Sequence, residues 1–434
     1  MNKRHLLAAA AILAVTVTSS NAAEIEFWYG NTGSVEDAIQ AECKAFNESQ
    51  SEHAINCVGQ GSYEAGFQKA IAAYRSQTHP TLIQFFDGGT LDVMLSGAIE
   101  PVYQLMPDVD WDDYLAGARG YYESSKGELY SQPYNGSTLI FFGNRDMLAK
   151  AGVTELPETW EAFETVATKL KEAGIACPFV TDGHPWRIIE QFAARHAVPI
   201  ATQHNGYGGM DAEYTFNEGL IAQHLTNLAE WHEDGLVRLK TETKAGDQNA
   251  AFASGECAMM VQGTGAFGSA YAGLGDNVMV ALAPMYEGYE RHNTLIGGAS
   301  IYVMKGHSDD EIAAAKAFLD FVRQPDQQIQ FTKATGYLPV TLTALNALKD
   351  SGQINDPAFG PVEVGVGSLN QPSNEDTKGI RLGFFTPARD IMIEETTKVF
   401  NGDQDMQTAL DNSVTRGNEL LRRFEQTYQG VDLP

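Results

Sequence analysis

Positive charge is scarce in this 434-residue chain. Its 29 Lys and Arg stand against 56 Asp and Glu, a formal net charge of −27. So acidic a protein is repelled by nucleic-acid backbones and by anionic lipid, which excludes both as natural partners. Cysteine is rarer still. The four residues, at 43, 57, 177 and 257, show no zinc-site spacing. Long apolar runs are missing too: residues 6–17 are apolar, but too few to span a bilayer as a stable anchor. The sequence contains no G-x-S-x-G, no H-E-x-x-H and no P-loop. It therefore lacks the local signature of a serine hydrolase, a zinc peptidase or a phosphate-cradling nucleotidase. No cofactor is expected.

What is present begins with an export signal. Lys3 and Arg4 precede the apolar stretch, and Ser20-Asn21-Ala22 supplies the small residues a signal peptidase reads. Residues 1–22 are thus expected to be removed. No Cys follows, so no lipid anchor is implied, and the mature chain is expected to be periplasmic. In an exported protein four cysteines imply disulfides. Of the three possible pairings, Cys43–Cys57 and Cys177–Cys257 are expected, one per lobe: Cys43 falls in the first expected helix and Cys57 in the strand after it, while Cys177 and Cys257 both lie in the middle third of the chain. The length exceeds one ordinary core and points to two lobes.

The apolar pattern alternates strand with helix. Residues 25–29, 54–58 and 82–86 read as strands. Ser34-Val35-Glu36-Asp37 resembles a capping box ahead of a helix, and residues 63–75 read as another. The same logic returns with strands at 139–142, 258–261 and 300–304, a helix at 160–172 behind Thr159, and a full capping box at Ser308–Glu311. From about 388 the chain is mainly helical, ending in an amphipathic stretch at 406–424. This is βαβ organisation, hence mainly parallel sheets covered by helices.

Several candidate sites compete with plainer readings. Gly263 to Gly268 matches G-x-G-x-x-G after a strand, yet no acidic residue ends the next strand to hold a ribose. The motif reduces to a glycine turn at a helix start, a place that suits a small anion. Asp108, Asp110, Asp112 and Asp113 begin like a calcium loop but lack its glycine and closing Glu. Trp28, Tyr29, Tyr63, Trp160, Trp186 and Tyr337 fall near predicted element ends, where open α/β sheets bind small hydroxylated molecules. The sharpest anomaly is Phe385-Thr386-Pro387-Ala388-Arg389-Asp390. Thr as N-cap and Pro at the first position place Arg389 in the first helical turn, the end that is already positive. A cation spent there, in a chain short of cations, is explained by an anion brought to it.

The segments SQPYNGSTLIFFGNRDMLAKAG, LPETWEAF, FASGECAMMVQGTGAFG, LIGGASIYVMKG, ATGYLPVT, KGIRLGFFTPARDIMIEE and RGNELLRRFE occur in this order. Together they resemble the periplasmic sn-glycerol-3-phosphate-binding proteins of bacterial ABC importers, relatives of the maltose-binding proteins. The likeness spans essentially the whole chain after residue 22. It implies a two-lobed α/β fold that closes on its ligand, with 23–137 and 295–340 in one lobe and 138–294 and 341–434 in the other. It also implies a ligand set: Tyr63, Asp87, Ser137, Gly263, Gly298, Tyr337 and Arg389, with Trp160 walling the glycerol. Two positions depart from the family pattern. Asp87 replaces a longer Glu, and Gly263 stands where a Ser offers a hydroxyl, which Thr264 or a backbone N–H would have to replace. Both changes widen the pocket and admit glycerophosphodiesters. The implied partners are that ligand and an ABC permease, the chain itself being monomeric. The competing class is a secreted glycerophosphodiesterase or glycosidase using a cleft carboxylate. Were Arg389 exposed at a helix start, its truncation would remove binding and spare the fold.

Overall fold

The computed structural model describes residues 23–434, so the expected signal segment lies outside the described residues. The strands, in chain order, are β1 (Ala23–Tyr29), β2 (His53–Gly59), β3 (Leu82–Phe86), β4 (Ile99–Glu100), β5 (Gln132–Ser137), β6 (Leu139–Asn144), β7 (Phe179–Thr181), β8 (Val237–Leu239), β9 (Met259–Gly263), β10 (Val278–Ala281) and β11 (Gly297–Met304). They form two sheets, one ordered β2-β1-β3-β11-β4 with β5 also paired to β11, the other ordered β10-β6-β9-β7-β8. Each sheet is covered by helices, giving a two-lobed α/β molecule. The chain passes from the first sheet to the second at Thr138, between β5 and β6, and returns before β11.

The sheets are mixed rather than mainly parallel. The βαβ segments behave as expected: β1 runs parallel to β2 and β3, and β7 runs parallel to β8 and β9. However, β11 is antiparallel to β3, β4 and β5, and β6 is antiparallel to β9 and β10. The reversed strands β5, β6 and β11 adjoin the crossings between lobes. A strand entering from the other lobe arrives without the helical crossover that forces parallel pairing.

Local chemistry explains most helix starts. Thr159 caps the helix Trp160–Glu172 through Ala162 N–H (3.1 Å), and Ser308 with Glu311 forms the expected reciprocal box on Asp309–Arg323. The helix Ser34–Ser49 differs: its cap is Gly33, with φ of 63°, and no side chain caps it. Both expected disulfides form, Cys43–Cys57 between that helix and β2, and Cys177–Cys257 within the second lobe. The second bridge spans 80 positions and lies in a buried cluster with Ile140, Phe142 and Met260. Replacing Cys177 and Cys257 with Ala is expected to lower stability by about 2–5 kcal/mol. Urea unfolding should show a smaller loss for the Cys43–Cys57 pair, whose loop is shorter.

Candidate ligand-binding site

Where the two sheets meet, three crossing segments pack on one another. Thr138 donates its hydroxyl proton, shared between Thr294 Oγ1 (2.6 Å) and the Leu295 carbonyl (2.8 Å). Gly136 pairs with Gly298 across β5 and β11, and its carbonyl accepts from Leu338 N–H at 2.8 Å. Above this junction, between the lobes, opens a cavity of about 400 Å³.

The first lobe supplies a fixed polar wall. Gln84, in β3, accepts from Gly30 N–H (2.9 Å) and donates to the side-chain oxygens of Asn31 (2.9 Å) and Asn135 (2.8 Å). Both asparagines donate to the Tyr63 hydroxyl, at 3.0 and 2.8 Å. Tyr63 stacks on Phe86, and burial pushes its phenol well above the usual range. The Tyr337 ring lies where a Cβ on Gly265 would come within 2.8 Å of it, while a Cβ on Gly268 would meet the Ala334 carbonyl at 2.7 Å. The G-x-G-x-x-G run is therefore a close-packing device. It leads β9 into the helix Phe267–Leu274 and leaves Gly263, Gly265 and Ala266 on the cavity.

Arg389 also lines the cavity wall, buried rather than exposed. Its helix begins at Phe385, behind Phe384 in the left-handed region (φ 50°, ψ 36°). Thr386 does not cap it, and its hydroxyl has no partner among the described residues. Arg389 is consequently two residues deeper in its helix than the Thr-Pro pattern implies, and it packs against the Gly88 backbone and the Phe385 and Phe86 rings. Glu190 takes the guanidinium in a fork, from Nε at 2.7 Å and Nη2 at 2.6 Å, and Asp87 sits 3.4 Å from Nη2. Burial drives both carboxyls upward, against the pull of Arg389. Burial opposes the arginine's charge as well, yet the two carboxylates outweigh it and hold its pKa above the ordinary value. Two acids share one cation, and the nearer, Glu190, is the better satisfied.

The second lobe forms the facing wall. Arg187 donates to Asp182 and, through Nη1, to Gln262 at 3.0 Å. Burial alone would raise Asp182, but Arg187 overrides it and holds the acid low. Burial and the same Arg187 keep His184 neutral, with its pKa down at about 3. Trp186 lies flat against Gly297, where a Cβ would approach its ring to 2.3 Å. Its buried indole N–H has no acceptor among the described residues.

Of the residues expected from the sequence, Tyr63, Asp87, Ser137, Gly263, Gly298, Tyr337 and Arg389 all line this one cavity. Thr264 lies behind it, its hydroxyl 3.1 Å from that of Ser137. Trp160 is not there. It is 2% exposed in the core of the second lobe, stacked on Trp231 and beside His224, and Trp186 provides the aromatic wall instead. Glu190 and Arg187 escaped sequence reasoning. A carboxylate inside the apolar run Ile188-Ile189-Glu190-Gln191-Phe192 was the available signal. Trp186–Glu190 also forms a π-helical turn, a distortion frequent at functional sites. The aspartates at 108–113 are occupied locally: Asp112 pairs with Arg119, and Asp113 accepts from Thr343.

A cleft at the crossing of two α/β lobes, walled by aromatics, amides and paired charges, is the architecture of a solute receptor. Residues 41–360 match the family model described as bacterial extracellular solute-binding protein, and the chain belongs to that family. It is 35% identical over 421 residues to the sn-glycerol-3-phosphate-binding periplasmic protein UgpB of Brucella abortus (strain 2308), covering 94% of this chain and 96% of the relative. The Yersinia pseudotuberculosis UgpB is 34% identical over 428 residues, with 95% and 97% covered. Among solved structures, UgpB from Mycobacterium tuberculosis in complex with glycerophosphocholine superposes with a TM-score of 0.75 at 19% identity, over 93% of this chain and 99% of that one. The GacH receptor of Streptomyces glaucescens, solved unliganded and with acarbose, gives 0.77 at 19% identity, over 92% and 99%. These two likenesses establish the shared fold.

Proposed function

We propose that this chain captures sn-glycerol-3-phosphate, or a glycerophosphodiester, in the periplasm and delivers it to an ABC permease. The observation that carries the reading is Arg389. It is a buried guanidinium on the wall of an interlobe cavity, in a chain whose near full-length relatives are named for this ligand. A phosphate offers oxygens to the face of Arg389 left by Glu190, and to N–H groups at the turn before the helix Phe267–Leu274. The glycerol hydroxyls then meet Asp87, Tyr63 and Ser137, and Trp186 covers its carbons. The short Asp87 and the bare Gly263 leave room for a substituent on the phosphate. The lobes divide at 23–137 with 295–340 against 138–294 with 341–434, and the protein acts as a monomeric, export-processed receptor rather than a catalyst.

Calorimetry against glycerol-3-phosphate, glycerophosphocholine, inorganic phosphate and maltose tests this. Saturable binding of one of the first two is expected, with none of maltose. Glycerophosphocholine should be recovered intact after incubation, and turnover would replace the receptor by an enzyme. Ligand should also compact the molecule by drawing the lobes together. Identical X-ray scattering profiles with and without saturating ligand would remove closure from the mechanism.

A further inference from the structure

Away from the cleft, the second lobe buries a cation without an anion. Arg195 is 1% exposed, and its Nε donates to the Pro284 carbonyl at 2.9 Å. Its guanidinium carbon lies 5.2 Å from the Phe192 ring centroid and 5.9 Å from that of Trp160. Among the described residues, the one full charge that bears on it is another cation, Arg291. Burial and Arg291 together lower its pKa only to about 9, which leaves it charged at neutral pH. Arg389, by contrast, has two carboxylates. Two donors of this group, Arg195 Nη1–H and Trp160 Nε1–H, are closed to solvent and meet no acceptor among the described residues. The neighbouring His196 offers none, since its Nε2 accepts from Tyr286 N–H (3.0 Å) and its Nδ1 faces the Phe192 carbonyl (2.8 Å).

We propose that this cluster is a binding site for a small inorganic anion of the halide class, held by Arg195 Nη1–H and Trp160 Nε1–H. An uncompensated buried guanidinium and two unanswered donors make the same demand, for an acceptor that carries negative charge. A water molecule would meet the donors but leave the charge. The donors are shut from solvent, so the guest is monatomic rather than a phosphate. The site explains why an arginine persists at full burial in a protein with nearly twice as many acids as bases, none of them beside it.

Crystals grown or soaked in bromide and measured at its absorption edge locate the ion. An anomalous peak within hydrogen-bonding reach of both donors is expected, and a map without one overturns the proposal. In solution, exchanging gluconate for chloride at constant ionic strength should raise the melting temperature of the wild type saturably, because the ion binds the folded state alone. Arg195→Met should abolish that response while retaining ligand affinity at the interlobe cleft, whose lining does not include Arg195. Trp160→Phe, which keeps a ring but loses the donor, should weaken the ion about five- to tenfold. An unchanged chloride response in Trp160→Phe overturns the proposal even if Arg195→Met fails to fold.

Discussion

Arg389→Ala is expected to lower stability by about 3–5 kcal/mol at neutral pH and to abolish ligand capture in the same stroke. A helix-start arginine facing solvent would be lost without harm to the fold. The structure corrects that expectation, because Arg389 is 4% exposed and is the shared counter-charge of Glu190 and Asp87. Removing it strands two buried carboxylates. Their response fixes the pH dependence. Burial already raises both, and without Arg389 to oppose it both rise further. A carboxyl raised above its unfolded value stabilises the fold fully below that unfolded value. The contribution is lost as pH climbs through the folded value. The variant's deficit should therefore shrink toward pH 5 and be greatest above neutrality. Arg389→Lys should fall between, since an ammonium keeps the charge but cannot fork onto Glu190. Denaturant unfolding at two pH values, paired with calorimetry, measures all three. A deficit under about 1 kcal/mol at neutral pH would show that the carboxyls do not depend on Arg389.

The elements legible in the sequence were those set by local pattern. The helix Trp160–Glu172 begins where Thr159 predicts, β3 coincides with the expected 82–86 run, and the Ser308 box caps its helix. What pattern missed was decided at a distance. Phe384 starts its helix from a left-handed conformation with its N–H toward Asp92, 292 positions earlier in the chain (3.4 Å), and nothing in Thr386-Pro387 announces that. Strand direction near the crossings depends on the route between lobes, which periodicity does not encode. Within the site, the resemblance located residues whose backbone approaches the cavity. It misassigned the aromatic wall because Trp160 and Trp186 both follow turns. Only the fold shows that one helix turns its tryptophan into the second lobe's core while a π-helical turn presents the other to the cleft. Glu190 was invisible for a related reason: its partner is 199 positions away.

Gly298→Ala should damage fold and binding together, with a stability loss of about 2–5 kcal/mol. Gly298 has φ of +93°, and a Cβ there would stand 1.9 Å from the Asn135 carbonyl oxygen. Two penalties add at this position. The left-handed conformation costs a non-glycine residue roughly 1–2 kcal/mol. The clash is with backbone, which no rotamer relieves. Relief requires β11 to move off β5, and Gly136, opposite, has no slack, since a Cβ there would itself meet Val340 at 2.9 Å. Moving β11 shifts the junction that carries Ser137 and Tyr337, so the cavity floor moves as well. Gly288→Ala separates the two penalties. Gly288 has φ of +84° but nothing within 4 Å of an added Cβ, so it should lose only the conformational part. Urea midpoints for the two variants give the close-packing cost by difference, and calorimetry should show weakened capture in Gly298→Ala alone. Equal losses in both would mean that the β5–β11 crossing yields freely, and that the junction beneath the cavity is not the rigid floor on which the site is built.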